Sequence, residues 1–192
     1  CEITSGSCGT VSTPVVPITV YGDLTASISG GTSPLCYNTS PGTFIASGGG
    51  GTGAYTYLWY KDGLSTGVTT QNYTPGALTV NSTFYCAITS GACGTVSSSI
   101  TTITVYTDLT ASISGGISPL CYFTDPGPFT ATGGGGSGAY TYLWYKNGSS
   151  TGVTTQTYDP GPLTVLSTFY CAISSGPCGP VNTPGTTITV FG

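Results

Sequence analysis

Along most of this chain apolar and polar residues alternate at period two, in short runs closed off by Gly, Pro, Asn or Asp. That pattern predicts short strands with one face buried. The clearest run is AYTYLWYK at 54–61, which returns letter for letter at 139–146. Each copy follows four glycines (48–51 and 133–136) and ends in a turn, Asp62-Gly63 or Asn147-Gly148. Asp-Gly and Asn-Gly accept positive φ cheaply, so both read as hairpin turns. The first long unit predicts strands near 24–29, 43–47, 55–61, 69–73, 78–80, 83–89 and 99–106. In the run at 83–88 alternation puts Phe84, Cys86 and Ile88 on one face, opposite Trp59. Ile103 and Val105 face inward with Thr104 outward. Trp59 and Trp144, the two tryptophans of the chain, with Phe84 and Phe169, are the expected core. Helix signals are missing. Seven short strands per unit, spaced about 8–12 residues apart, predict an all-β antiparallel sandwich.

The strands recur because the sequence recurs. Residues 22–106 and 107–191 align at a period of 85 without gaps, with 63 of 85 positions identical. Residues 1–21 align with the end of a unit: Cys1 and Cys8 fall on Cys86 and Cys93, and Ile18-Thr19-Val20-Tyr21 on Ile103-Thr104-Val105-Tyr106. The expected organisation is a partial repeat (1–21, the last two strands of a unit) followed by repeats at 22–106 and 107–191. The last strand of each unit runs into the next through Tyr21-Gly22-Asp23-Leu24 or Tyr106-Thr107-Asp108-Leu109. No Gly/Ser- or Pro-rich linker intervenes, so the units should form a stiff rod. The partial repeat implies either an upstream continuation or completion by strands of another chain.

Charge removes several function classes. The chain has 2 Lys plus Arg, 6 Asp plus Glu and no His in 192 residues. Nucleic acid is not an expected partner, because nothing would neutralise phosphates. Anionic lipid fails likewise, and no apolar run reaches membrane-span length, so no membrane insertion is expected. With 23 Ser and 37 Thr, hydroxyls rather than charges wet the surface. Such a surface suits attached glycans. Asn38, Asn72, Asn81 and Asn147 fit N-x-[ST], and O-linked sugars on the Thr-rich strands are a further candidate.

Catalysis finds little support. Without His, and with Lys61 and Lys146 beside turns, a Ser or Thr nucleophile has no base. Asp23, Asp62, Asp108, Asp125 and Asp159 are scattered singly, and no EF-hand loop occurs. The glycine runs lack the P-loop lysine and read as entries to a strand. No catalytic, metal or cofactor residue is assigned. An outward row containing Tyr60 could stack on sugars, which keeps a carbohydrate-binding module as the alternative reading.

Eight Cys without His or any CxxC point away from zinc and toward disulfides in an oxidising, extracellular setting. Each long unit holds three. Pairing Cys86 with Cys93 (and Cys171 with Cys178, Cys1 with Cys8) needs a hairpin turning at Ser90-Gly91 that leaves the two as diagonal neighbours. That leaves Cys36 and Cys121 either to bridge to a neighbouring unit or chain, or as buried thiols. Pairing Cys36 with Cys86 is the antibody-like scheme and needs Cys36 to reach inward.

The motif Leu58-Trp59-Tyr60-Lys61 followed by Ser82-Thr83-Phe84-Tyr85-Cys86 resembles an immunoglobulin-type sandwich. The Trp stands on the third strand and Cys86 on the sixth. More specifically, the chain resembles the immunoglobulin-like and PKD-like tandem repeats of Bacteroidota surface and secreted proteins. Their Gly-Gly-x-x-x-Tyr-x-Tyr-x-Trp motif and late Cys match residues 22–191 fully and 1–21 in part. Two departures matter. Cys36 precedes the second strand, and Phe84 stands where the tyrosine corner has Tyr. The resemblance implies tandem immunoglobulin-like β-sandwiches, secretion, and a structural, non-enzymatic role in a fibre, stalk or adhesin, with copies of itself or neighbouring repeats as partners. It also implies pairing of Cys36 with Cys93, which would join opposite ends of an ordinary sandwich.

Overall fold

The computed structural model describes all 192 residues. Strands β1 (Glu2–Thr4) and β2 (Thr10–Ser12) form an isolated hairpin. The first sandwich contains β3 (Thr25–Gly30), β4 (Phe44–Gly49), β5 (Thr56–Lys61), β6 (Leu64–Ser65), β7 (Asn72–Tyr73), β8 (Ser82–Thr89), β9 (Thr95–Ser97) and β10 (Thr101–Ile103). The second contains β11 (Thr107–Gly115), β12 (Leu120–Cys121), β13 (Phe129–Gly136), β14 (Tyr140–Lys146), β15 (Ser149–Ser150), β16 (Thr157–Tyr158), β17 (Ser167–Ser175), β18 (Cys178–Asn182), β19 (Thr186–Ile188) and β20 (Val190–Phe191). In the first, a sheet ordered β3-β4-β7 faces a sheet ordered β10-β8-β5-β6, with β9 also on β8. The second repeats this as β11-β13-β16 against β15-β14-β17-β18, with β19 also on β17. The molecule is thus all-β, two tandem immunoglobulin-like sandwiches. No helix is long and apolar enough to cross a membrane.

The period-two pattern produces each core directly. Strand β8 alternates buried and half-buried side chains along its length, placing Phe84, Cys86 and Ile88 inside. Trp59 lies opposite Cys86 on the neighbouring β5 and is fully buried. Phe44 comes across from the other sheet, with its ring 4.9 Å from Phe84 and 6.2 Å from Trp59. Tyr73 covers the indole at 5.6 Å. The indole N–H donates to the Thr70 carbonyl at 2.9 Å, so the core tryptophan also holds the loop entering β7. Phe129, Trp144, Tyr158 and Phe169 repeat the cluster in the second sandwich. Tandem small cores of this kind hold because the aromatics bury large areas and each indole N–H finds a carbonyl partner.

The turns follow the sequence closely. Asp62 and Asn147 both adopt φ of 51°. Their side-chain oxygens accept the N–H of Thr83 at 2.7 Å and of Thr168 at 2.8 Å, which closes the turn onto the next long strand. The glycine runs are structural at particular atoms. A Cβ on Gly48 would stand 2.8 Å from the Tyr55 ring. Gly135 has φ of +71°, and a Cβ there would stand 1.9 Å from the Asp108 carbonyl oxygen. The run therefore lets the start of one sandwich cross its second strand at backbone contact.

Two expected strands differ. Residues 78–80 form no strand; Leu78 makes a single bridge to Thr39. The expected strand at 99–106 is shortened to β10 and a bridge at Val105, and a separate β9, not anticipated, precedes it; between them Ser98 accepts the Cys86 N–H on its hydroxyl at 3.1 Å. β6 was not anticipated. It is the short return strand of the Asp62-Gly63 hairpin.

Gly135→Ala should lower urea stability by about 2 kcal/mol or more, because the backbone must shift and φ is strained. Gly138→Ala, with similar φ but open space around it, should cost only about 1 kcal/mol. Equal losses in the two variants would show that the Asp108 contact is unimportant.

Candidate functional site: the junction between the sandwiches

The site with the most specific geometry lies where one sandwich ends and the next begins. After β3 the chain turns through Ser33, Pro34 and Leu35 to Cys36. Leu35 is buried and lies parallel to Val105. Its N–H donates to the Thr104 carbonyl, and its carbonyl accepts the Tyr106 N–H, both at 2.8 Å. The Ser33 hydroxyl accepts the Thr104 N–H at 2.9 Å. Thr39 donates its hydroxyl to the Cys36 carbonyl at 2.6 Å. Cys36 is thus clamped beside the strand that leaves the first sandwich, one residue before Thr107 begins β11.

Its partner comes from the near end of the second sandwich. β17 and β18 form a tight hairpin in which Ser175 faces Cys178. The next residue, Gly179, packs beside Leu109 of β11. Leu109 is 8% exposed, whereas its counterpart Leu24, at the other end of the molecule, is only half-buried. Cys36 and Cys178 form a disulfide with Cα atoms 5.6 Å apart, across 142 residues of sequence.

This corrects the expected pairing. Cys86 is not bonded to Cys93, nor Cys171 to Cys178, nor Cys1 to Cys8; Cys1, Cys8, Cys86, Cys93, Cys121 and Cys171 are free thiols. The cause is hairpin register. β8 and β9 pair Ala87 with Ser97 and Thr89 with Thr95, so Cys86 stands opposite Ser98. Cys93 lies at the hairpin tip, in a 3-10 turn. At about 3.3 Å per strand residue, the two are beyond the ~7 Å that a disulfide spans. The antibody-like pairing fails because Cys86 is sealed in the core while Cys36 sits at the rim. Cys36 to Cys93 within one unit fails because they occupy opposite ends. The alternation that identified Cys86 as inward-facing already argued against its bonding to a hairpin tip. A bridge from Cys36 to a neighbouring unit was one of its two expected fates and is the one observed; that its partner is Cys178 has no local sequence signal.

The remaining candidates sort as follows. Trp59, Trp144, Phe84 and Phe169 are fully buried. Asn38, Asn72, Asn81 and Asn147 are all exposed. Asn81 uses its carbonyl oxygen to accept the Val105 N–H at 2.7 Å, and Asn147 to accept the Thr168 N–H. Tyr60 does point outward, but its ring stacks on Tyr85 at 4.6 Å and 4° between planes. Tyr145 and Tyr170 do the same. Burial pushes the Cys86 and Cys171 thiols up from the ordinary range, against the opposing effect of the backbone at Leu58 and Leu143. Both behave as small core hydrophobes rather than nucleophiles.

Fold and junction together define a tandem immunoglobulin-like repeat protein whose units are stapled end to end. The domain family DUF8696, described as a domain of unknown function, matches the chain twice, over residues 25–107 and 110–191. The chain belongs to that family. Among solved structures, the extracellular domains 3–5 of Drosophila OTK align over 88% of this chain and 62% of theirs, at 13% identity and a TM-score of 0.54. The three N-terminal domains of the bacteriophage RB49 outer capsid protein Hoc align over 87% of this chain, at 17% identity and a TM-score of 0.46. This chain spans 59% of the length of that Hoc structure. At 13% identity the likeness to the OTK domains is one of fold. No curated protein sequence matches this chain.

Cys36→Ser should lower stability by about 2–5 kcal/mol, since the bond closes a very long loop. It should also split thermal unfolding into two transitions, read by calorimetry. An unchanged single transition would mean that the bond does not couple the sandwiches. A raised thiol value means that the stability from keeping Cys86 and Cys171 neutral is intact below about pH 8.5. It is lost as pH rises above that. The melting midpoint should therefore fall as pH rises above about 8.5, and Cys86→Ala/Cys171→Ala should flatten that fall while lowering the midpoint throughout.

Proposed function

We propose that this chain is a structural, non-enzymatic segment of a bacterial extracellular fibre, stalk or adhesin, and that its task is to carry tension. The observation that carries this reading is the Cys36–Cys178 bond, which crosses the junction of two sandwiches already joined without a linker. A disulfide suits an oxidising compartment. A strand that passes directly from Ile103 through Tyr106 into β11 fits a stiff rod rather than a flexible string. Neighbouring repeats are its partners, and the hydroxyl-rich, nearly uncharged surface accommodates glycans, with Asn38 and Asn72 offering side chains free of backbone duties.

The bond sets a definite mechanical behaviour. A load entering before Cys36 and leaving after Cys178 bypasses the chain between them, a sequence separation of 142. Strands β4 to β17 then lie inside a covalently closed loop, with β3, β19 and β20 outside it. Pulling the oxidised chain by its ends in a force spectrometer should never release the length of that loop. After reduction with a phosphine, the same pull should release about 500 Å more, at ~3.5 Å per residue. Equal contour lengths before and after reduction would remove the basis of the tension-bearing reading.

A further inference from the structure

Residues 1–21 carry the core side chains of a sandwich without being covered by one. Ile3 and Ile18 are 61 and 87% exposed, whereas Ile88 and Ile103 at the matching positions are buried. Cys1 is exposed where Cys86 is sealed in the core. The β1–β2 hairpin is nevertheless built like β8–β9. Ile3 pairs with Val11 and Thr4 with Thr10, as Ile88 pairs with Val96 and Thr89 with Thr95. The Cys8 N–H donates to the Ser5 carbonyl at 2.8 Å, and the Cys93 N–H to the Ser90 carbonyl at 2.9 Å. The Thr4 and Thr10 hydroxyls meet at 2.8 Å, those of Thr89 and Thr95 at 2.6 Å. Large apolar groups set out at core spacing but left in solvent call for a covering layer.

Where that segment enters the first sandwich, one half of a junction stands ready. Cys93 lies at the hairpin tip there, as Cys178 does at the entry to the second sandwich, and it is a free thiol. Leu24 is half-buried where Leu109 is buried. The other half, the clamp that holds Cys36, is made by each unit from its own strands. The Leu120 N–H donates to the Thr189 carbonyl as that of Leu35 does to Thr104, both at 2.8 Å. The Ser118 hydroxyl accepts the Thr189 N–H at 3.0 Å, as Ser33 accepts that of Thr104 at 2.9 Å. Cys121 is held in this way while it remains a free thiol. The clamp therefore forms without its disulfide, and a sandwich of this sequence presents its clamp cysteine before any bond is made. Both full repeats have that cysteine, and the partial repeat keeps the other two of the set, Cys1 and Cys8.

We propose that a sandwich preceding β3 in the same chain, ending in residues 1–21, bonds its clamp cysteine to Cys93, so that the Cys36–Cys178 junction recurs along the array. The covalent step is an exchange with a small-molecule disulfide such as oxidised glutathione. One protein thiolate attacks that disulfide and releases one reduced glutathione. The second thiolate attacks the mixed disulfide, forms the bond to Cys93 and releases another. Two protein thiols are oxidised, and one glutathione disulfide is reduced to two thiols.

Each such bond reaches further than one repeat, since Cys36 and Cys178 are 142 apart in sequence and the period is 85. Successive closed loops therefore overlap. The loop ending at Cys93 and the loop beginning at Cys36 both contain β4 to β8. Opening either staple leaves those strands inside the other loop. In its mechanical sense this inference rests on the tension-bearing reading above. The pulling experiment concerns the loop already closed and the mapping below concerns the new bond, so the two fail separately.

The test places a second copy of residues 22–85 directly before Cys1 of the full chain. Because residues 1–21 align with 86–106, this supplies the rest of the preceding sandwich. After oxidation in a glutathione redox buffer, thiol blocking and digestion without reductant, Cys36 of the added copy should be joined to Cys93, alongside the Cys36–Cys178 pair. Cys1 should react with iodoacetamide ~100-fold more slowly than in the unextended chain, since it takes the buried position of Cys86. Cys93→Ser in the extended chain should leave the added cysteine reduced while Cys1 stays protected, which separates the bond from the fold. Four results would each overturn the proposal: Cys93 reduced in the extended chain, the added cysteine joined to Cys1 or Cys8, Cys1 as reactive as without the extension, or Cys93 linked between two copies of the unextended chain.

Discussion

Besides the peptide chain at Tyr106–Thr107, one covalent link joins the two sandwiches, and its position depends on a backbone clamp. Leu35 is held between Thr104 and Tyr106 by two hydrogen bonds and lies parallel to Val105. This fixes Cys36 at the exit of the first sandwich. The second half of the constraint is the β17–β18 hairpin, which carries Cys178 to the entry of the second. The clamp and the hairpin are features of every long repeat, so the staple belongs to the spacing of units rather than to either unit alone. The two halves of the junction sit on strands that are themselves packed onto aromatic cores.

Each sandwich holds together with almost no charge. Its stability comes from a cluster of four aromatic rings and from complete pairing of its buried polar groups. No buried side-chain nitrogen or oxygen lacks a hydrogen-bond partner. Ser90 and Ser175, buried beside the glycine run, receive the N–H of Thr52 and Ser137 at 2.9 Å. Ser98 and Thr183 accept the N–H of Cys86 and Cys171 at about 3 Å. Hydroxyls take over the work that ion pairs and amides do elsewhere, which is how a Ser- and Thr-rich sequence closes its core.

Much of this was legible in the residues. The alternation in β8, the turn at Asp62-Gly63 and the central Trp59 are local signals, and each gave the observed element. The 85-residue period told how many sandwiches there are, because near-identical sequence must fold alike. What the residues did not reveal was long-range. Cys86 and Cys93 are close in sequence, which favoured pairing them, but the wider 3-10 turn at Gly91–Cys93 adds residues to the hairpin and carries Cys93 to its tip. Cys36 meets Cys178 only because two whole domains stack, and no local pattern encodes a contact 142 residues away. The repeat did contain a hint: three cysteines per unit cannot all pair inside it, so at least one must remain reduced or look outward.

Disulfide mapping of the native, unreduced protein tests this account most directly. The thiols are blocked at mildly acidic pH, the chain is digested without reductant, and linked peptides are read by mass spectrometry. The account requires a cross-linked pair holding Cys36 and Cys178, with Cys86 and Cys171 both reduced. Linkage of Cys36 to Cys86 or Cys93, or of Cys171 to Cys178, would contradict it.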